Sequence, residues 1–132
     1  SIFELAALIV SSGYFNIKAR RLKALCQWLA DKNEIDQLKQ LPLKELRKEL
    51  LGIHGIGPET ADDILLYALD KPVFVIDAYT RRLFSRLGLI QHDDDYENLR
   101  RGFEQALDEA QLVIGVDDLE ILRQPGFLPV TP

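Results

Sequence analysis

The chain of 132 residues holds one cysteine, two histidines, one tryptophan and no methionine. A single thiol, Cys26, excludes an internal disulfide and any site built from several of the chain's own thiolates. His54 and His92 stand far apart, so the sequence offers no ligand set for a transition metal. Long apolar runs are also missing. The longest, such as residues 5–10, fall far short of the roughly 20 residues that span a bilayer. The opening S-I-F-E-L has neither the basic region nor the cleavage site of a secretory leader. The expectation is therefore no membrane partner, and a reducing, cytoplasmic location fits the cysteine content. No internal repeat and no low-complexity tract is present. The first residues read as the middle of a helix, which leads to the expectation of a chain shortened at its N-terminus.

What the chain does have is apolar residues, at 47%, enough for a packed core. Its net charge is −5, a mild argument against nucleic acid, but the distribution is uneven. The acidity is concentrated in residues 91–120, whereas residues 18–50 are net basic. Basic clusters at 18–23 and 81–86 admit a DNA-facing surface, and equally admit solvated helix faces.

The hydrophobic spacing is helical almost throughout. Leu22, Leu25, Cys26 and Leu29 recur at i, i+3, i+4 and i+7 and predict one inner stripe, with Cys26 as a core thiol. Asn16 is placed to cap that helix. L-P-L-K-E-L-R-K-E-L-L-G predicts a helix with Leu43, Leu46, Leu50 and Leu51 inward. A glycine at 52 or 55 ends it. The next helix starts at Pro58, with Ala61, Ile64, Leu65 and Ala68 inward, and Tyr67 is expected to pack. V-F-V-I at 73–76 reads as a buried extended connector, because one lone strand buries little. Asp77 falls at an N-cap position, Gly88 stops the helix that follows, and residues 96–110 predict another. A short helix at 118–124 and coil at the end complete the reading. The expected fold class is all-α, an orthogonal helix bundle. The expected organisation is a helical domain over 1–110, with a helix-hairpin-helix at about 43–69, and an irregular tail over 111–132.

The stretch I-H-G-I-G-P-E-T-A at 53–61 has the makings of an anion site. Gly57 suits an N-cap and Pro58 a first helical position. The first turn of a helix leaves N–H groups without partners, and they lie at the positive end of the helix dipole. Gly55, Ile56, Gly57, Glu59 and Thr60 are the candidate phosphate-binding residues. Hairpin carbonyls there also admit a monovalent cation. Glu59, Asp62 and Asp63 lie in or near the same turn, and their charge competes with a phosphate. Taken alone, the hairpin is equally a glycine-capped connection between helices.

Read together, L-L-G-I-H-G-I-G-P-E-T-A-D-D-I-L-L-Y-A and F-V-I-D-A-Y-T-R-R-L-F-S-R-L-G-L resemble the helix-hairpin-helix DNA glycosylases of the endonuclease III superfamily. That family's hairpin is typically L-P-G-[IV]-G, followed at fixed spacing by a catalytic aspartate in V-D-[TA]. Here His54 replaces the hairpin proline and Asp77 takes the aspartate's place. S-G-Y-F-N-I-K-A-R-R-L is similar to the segment that precedes the hairpin. The resemblance covers about residues 5–90. It implies double-stranded DNA as partner, with Lys18, Arg20, Arg81 and Arg82 as further candidate contacts. Lyase members carry a lysine where this chain has Glu59, and that lysine forms a Schiff base; the resemblance thus implies no such lyase activity. P-E-T-A-D-D-I-L with D-A-Y-T-R-R is most similar to the 3-methyladenine glycosylase branch, which removes alkylated purines. The iron–sulfur cluster of many members needs four cysteines, so no such cofactor is expected. The family's N-terminal helices and gap-filling loop have no counterpart in these residues.

If the resemblance holds, an extruded nucleotide meets Asp77, which stabilises the oxocarbenium-like sugar or orients water as the N-glycosidic bond breaks. Tyr14, Phe15, Trp28 and Tyr79 are the aromatic candidates for stacking on the base. Three readings stand open at this point: a monofunctional base-excision glycosylase, a non-enzymatic helix-hairpin-helix DNA-binding module with an incomplete cleft, and a protein-contact homologue that uses the acidic segment.

Overall fold

The computed structural model describes residues 1–32 and 34–111. The segment read as a short helix at 118–124 and the coil after it lie outside the described residues. All regular elements among the described residues are helical, so the chain is all-α as the spacing predicts. The helices are α1 (Ile2–Leu8), α2 (Phe15–Asp31), α3 (Ile35–Gln40), α4 (Leu43–Gly52), α5 (Pro58–Asp63), α6 (Ala78–Arg86) and α7 (Tyr96–Gln111). A 3₁₀ turn (Val10–Ser12) links α1 to α2, and α5 runs on into a π-helical turn (Ile64–Ala68). The chain divides into two compact units, Ser1–His92 and Asp93–Pro132. The division falls at the acidic loop that begins with Asp93, whereas the sequence reading ended its domain at 110.

Local chemistry accounts for most boundaries. Ser1 caps α1 through a capping box with Glu4. Tyr14, in the left-handed region, precedes α2, and Asn16 lies inside the helix instead of capping it. Asp77 caps α6 by accepting from the Thr80 N–H at 2.7 Å. Gly88, at φ +71°, closes α6 in a Schellman motif: Leu89 N–H donates to the Phe84 carbonyl and Gly88 N–H to that of Ser85. In the second unit, Asp95 accepts from Asn98 N–H and opens α7. Within α7, Arg100 joins Glu97 and Glu104, three residues before and four after.

The core of the first unit gathers Leu38, Leu46, Leu50, Ala61, Leu65, Leu69 and Val73, with Trp28, Leu29 and Ile56 packed against it. Five expectations about side chains are corrected. Cys26 and Leu22 are exposed: periodicity marks a face, but burial needs an element to cover it, and α2 meets the core through Trp28 and Leu29. Leu51 is exposed too, at the margin of the α4 face. Ala68 and Tyr67 face solvent while Leu69 is buried. The π turn causes this, because Leu69 N–H reaches back five residues to the Ile64 carbonyl. The wider turn rotates Ala68 off the α-helical stripe and brings Leu69 onto it.

Inside this core sits one charged group. Asp62 is fully buried and takes a bidentate pair of bonds from Arg47, Nε to Oδ1 at 2.8 Å and Nη2 to Oδ2 at 3.1 Å. The pair joins α4 to α5 across the hairpin. Removing one member of a buried pair strands the other's charge. Asp62→Ala is therefore expected to lower unfolding stability by about 3–5 kcal/mol, read from urea denaturation midpoints. Replacing Arg47 and Asp62 together with methionine and leucine is expected to recover most of that loss.

Candidate nucleic-acid interface

The hairpin between α4 and α5 takes the form its glycines require. Gly55 sits at φ +86°, in the left-handed region that costs a glycine little. Gly57 is the extended N-cap and Pro58 the first helical residue. The N–H groups of Gly55, Gly57, Glu59 and Thr60 make no hydrogen bond among the described residues. Gly55, Gly57, Glu59 and Thr60 are all exposed. Bare, exposed amides at a helix start are the donors an anion takes. Ile56 differs from its neighbours. Its N–H donates to the Ile53 carbonyl at 3.1 Å and its side chain packs on the core. The structure thus corrects its candidacy as a phosphate ligand: its amide is already taken, and it anchors the hairpin.

A second side chain lies on this hairpin. A Cβ placed on Gly55 would fall 2.2 Å from Cγ, 2.5 Å from Cδ and 2.7 Å from Nε of Arg21. Gly55 suits the site twice: it adopts the backbone angle cheaply, and its missing Cβ leaves the space that the arginine stem occupies. The sequence reading passed over Arg21, whose nearness to residue 55 is a tertiary contact across 34 positions.

Asp77 is delivered by a constrained path. Two residues beyond the π turn, Asp70 sits at φ +53°. Lys39 pairs with Asp70 at 2.7 Å, and Lys71 Nζ donates to the Lys39 carbonyl at 2.7 Å. The extended segment that follows is pinned by buried Val73 and Ile76. Asp77 then emerges half-buried, with Oδ1 committed to the Thr80 amide. It opens onto a groove of about 380 Å³ along α6, shared with Tyr79, Thr80, Arg82, Leu83, Phe84 and Arg86.

The candidate cations fall into two groups. Lys18 donates to the Ser12 carbonyl and closes the turn before α2, and Arg81 donates to the carbonyl of His92 at 3.1 Å. Arg20 and Arg82 are exposed, and Arg82 stacks 5.2 Å from the Tyr79 ring centre. The aromatic candidates also separate. Trp28 donates to Glu49 at 3.0 Å and packs on the core. Tyr14 is exposed and Phe15 half-buried, neither of them among the groove residues. Tyr79 is exposed and lines the groove with Asp77.

Asp63, at the end of α5, is a half-buried carboxylate whose surroundings spacing alone does not reveal. Burial holds its carboxyl above the usual value, and the charges of Asp77 and Asp62 add to the effect. Asp63 stands about 6 Å of helix rise beyond Glu59, so the charge of Asp77 is felt at the far end of the helix whose near end is the hairpin. Among the described residues no cluster of three or more His, Cys, Asp or Glu is arranged to hold a metal. An iron–sulfur cluster takes four thiolates, and the chain's one cysteine does not fit it.

Comparison with known proteins identifies the family to which the chain is similar. Residues 2–109 match the family described as HhH-GPD superfamily base excision DNA repair protein. A Methanocaldococcus jannaschii protein named as a DNA repair glycosylase is 41% identical over 92% of this chain and 53% of its own length. Endonuclease III of Sulfolobus acidocaldarius is 31% identical over 77% of this chain and 44% of its own. Among solved structures, the 3-methyladenine DNA glycosylase of H. pylori bound to 1,N6-ethenoadenine superposes with a TM-score of 0.67 and 33% identity. It covers 88% of this chain and 54% of that one. The chain thus spans about half the length of the relatives it matches.

The raised Asp63 has a consequence for stability. A carboxyl whose folded value lies above its unfolded one stabilises the fold at low pH, fully below the ordinary 3.8. That contribution is lost as pH rises through the folded value. At neutral pH the ionised Asp63 is thus a cost. Asp63→Asn is expected to be more stable than the parent at pH 7, and the gain is expected to vanish below pH 3.8, as read by urea unfolding at the two pH values.

Proposed function

The chain belongs to the HhH-GPD superfamily of base excision DNA repair proteins, and from that membership we propose that it is the DNA-gripping and catalytic part of a monofunctional glycosylase acting on alkylated purines in duplex DNA. One observation carries the reading. A half-buried carboxylate, Asp77, is held at the α6 N-cap and lines an open groove, and a hairpin of bare amides lies at the start of α5.

In this reading the amides of Gly55, Gly57, Glu59 and Thr60 hold a backbone phosphate, and a monovalent cation at the hairpin carbonyls assists. Arg20, Arg82 and Arg86 add positive charge; Lys18 and Arg81, each already bonded to a carbonyl, hold turns as well as adding to the field. Such contacts position the duplex without reading sequence. Asp77 faces the sugar of an extruded nucleotide. Its fixed negative charge stabilises the cation that develops on the ring as the base leaves. A cationic alkylated purine departs readily, which lowers the demand for a general acid. The likeness to the H. pylori glycosylase, solved with an ethenoadenine, supports a modified purine as substrate. Tyr79, beside Asp77 and backed by Arg82, is the aromatic best placed to stack on a base.

Glu59 stands where lyase members of the resembled family carry lysine. A carboxylate forms no Schiff base, so the proposed enzyme hydrolyses the bond and leaves the sugar–phosphate chain intact. Apart from the monovalent cation at the hairpin, no metal and no iron–sulfur cluster is part of the proposal.

The full-length protein is expected to release free base from alkylated duplex DNA. Asp77→Asn is expected to slow release by roughly 10²-fold or more while duplex affinity stays within a few-fold. Absence of release from methylated and ethenoadenine-containing duplexes, with salt-sensitive binding retained, would favour a binding module over an enzyme. Borohydride added to the protein with abasic DNA is expected to trap no covalent adduct; an adduct would return the lyase reading.

A further inference from the structure

We infer that Arg21 is a phosphate-binding arm of the hairpin: its guanidinium is held over Gly55 to grip the DNA phosphate that the bare amides of Gly55, Gly57, Glu59 and Thr60 receive. The inference rests on the DNA reading above and deepens it by adding a side chain from a different helix.

The first support is geometric. The Arg21 stem from Cγ to Nε lies along the open face of Gly55, at 2.2–2.7 Å from where a Cβ would stand. Three consecutive atoms of the side chain are thus placed beside the hairpin backbone, and the planar head continues directly from Nε. A side chain already lying over the hairpin needs little rearrangement to meet an anion there. The guanidinium fork also matches two phosphate oxygens at once, which an ammonium does not.

The second support is that this cation is uncommitted. Arg21 makes no hydrogen bond or ion pair among the described residues, and it is exposed. Two other cations of this region are spent, Lys18 on the Ser12 carbonyl and Lys32 on Glu49, and Arg20 and Lys23, though exposed, are not placed on Gly55. Glu59, exposed in the first turn of α5, is not paired with it. An arginine stem held against a backbone, with no carboxylate for its head, is arranged for an anion from outside.

The third support is electrostatic balance. Three carboxylates lie in α5, and their field opposes a phosphate at its start. Asp62 is answered by Arg47 in the core. Asp63 is half-buried at the far end of the helix and held above its usual titration range. Glu59 alone remains exposed at the hairpin, and Arg21 supplies one positive charge against it.

The test measures binding of the full-length protein to a duplex carrying a stable abasic-site analogue, by fluorescence anisotropy from 50 to 200 mM salt. Arg21→Met keeps the stem on Gly55 and removes the charge; Arg21→Lys keeps a charge without the fork. Arg21→Met is expected to weaken binding by about 3- to 10-fold at 100 mM salt and to reduce the salt slope by about one. Arg21→Lys is expected to restore the slope and only part of the affinity. Thermal melting of each variant checks that the fold is kept, and Arg20→Met, whose side chain is not placed on Gly55, is the reference for a generic loss of charge. An Arg21→Met protein that matches the Arg20→Met protein in affinity and slope overturns the inference while leaving the DNA reading intact. A parent protein with no salt-dependent binding overturns both.

Discussion

The buried pair between Arg47 and Asp62 is the constraint on which the hairpin depends. Taking two charges out of water is costly, and a pair recovers that cost only when its geometry is exact and its remaining lone pairs are met. The bidentate contact from Arg47 Nε and Nη2 satisfies that condition. Because the partners sit on α4 and α5, the two helices have one favoured register, and Gly55 and Gly57 are held at its bend. Apolar packing of Leu46, Leu50, Ala61 and Leu65 supplies attraction between the same helices, but apolar contacts tolerate sliding more readily than a forked ion pair does.

From that fixed point a second constraint carries the chain to Asp77. The π turn uses one extra residue, Asp70 takes a left-handed conformation, and Lys39 and Lys71 fasten the helix end to α3. Val73 and Ile76 then anchor an extended segment whose own backbone lacks a sheet. The strain of the route sits away from the groove, and the carboxylate arrives with one oxygen already held by an amide. A carboxylate so held need not reorient as charge develops nearby, which is the condition for electrostatic stabilisation.

The charge arrangement follows the same economy. Locally the charge is arranged quite differently from the net acidic total: one carboxylate of α5 is buried against arginine, one is half-buried at the distal end, and one is exposed at the hairpin. On α6, Arg82 lies on the Tyr79 ring beside the groove. Net charge therefore says little about any one surface, since exposed charges act within a Debye length of about 8–10 Å. Membership of the HhH-GPD superfamily agrees with that local picture.

The sequence by itself determined the helical class, the hairpin with its Gly57–Pro58 start, the Asp77 cap, the Gly88 stop and the family resemblance. These are properties of residues within a few positions of one another, where spacing, capping chemistry and the freedom of glycine leave few choices. Only the tertiary structure decided that Arg21 covers Gly55, that Asp62 is spent on Arg47, that Asp63 senses Asp77, and that Ile56 anchors where its neighbours face outward. It also decided that Cys26 and Tyr67 face solvent and that Leu69, not Ala68, enters the core. Each of these turns on which element covers which face, or on a single residue's change of helical pitch. A one-dimensional pattern records the period of a helix but not what lies against it.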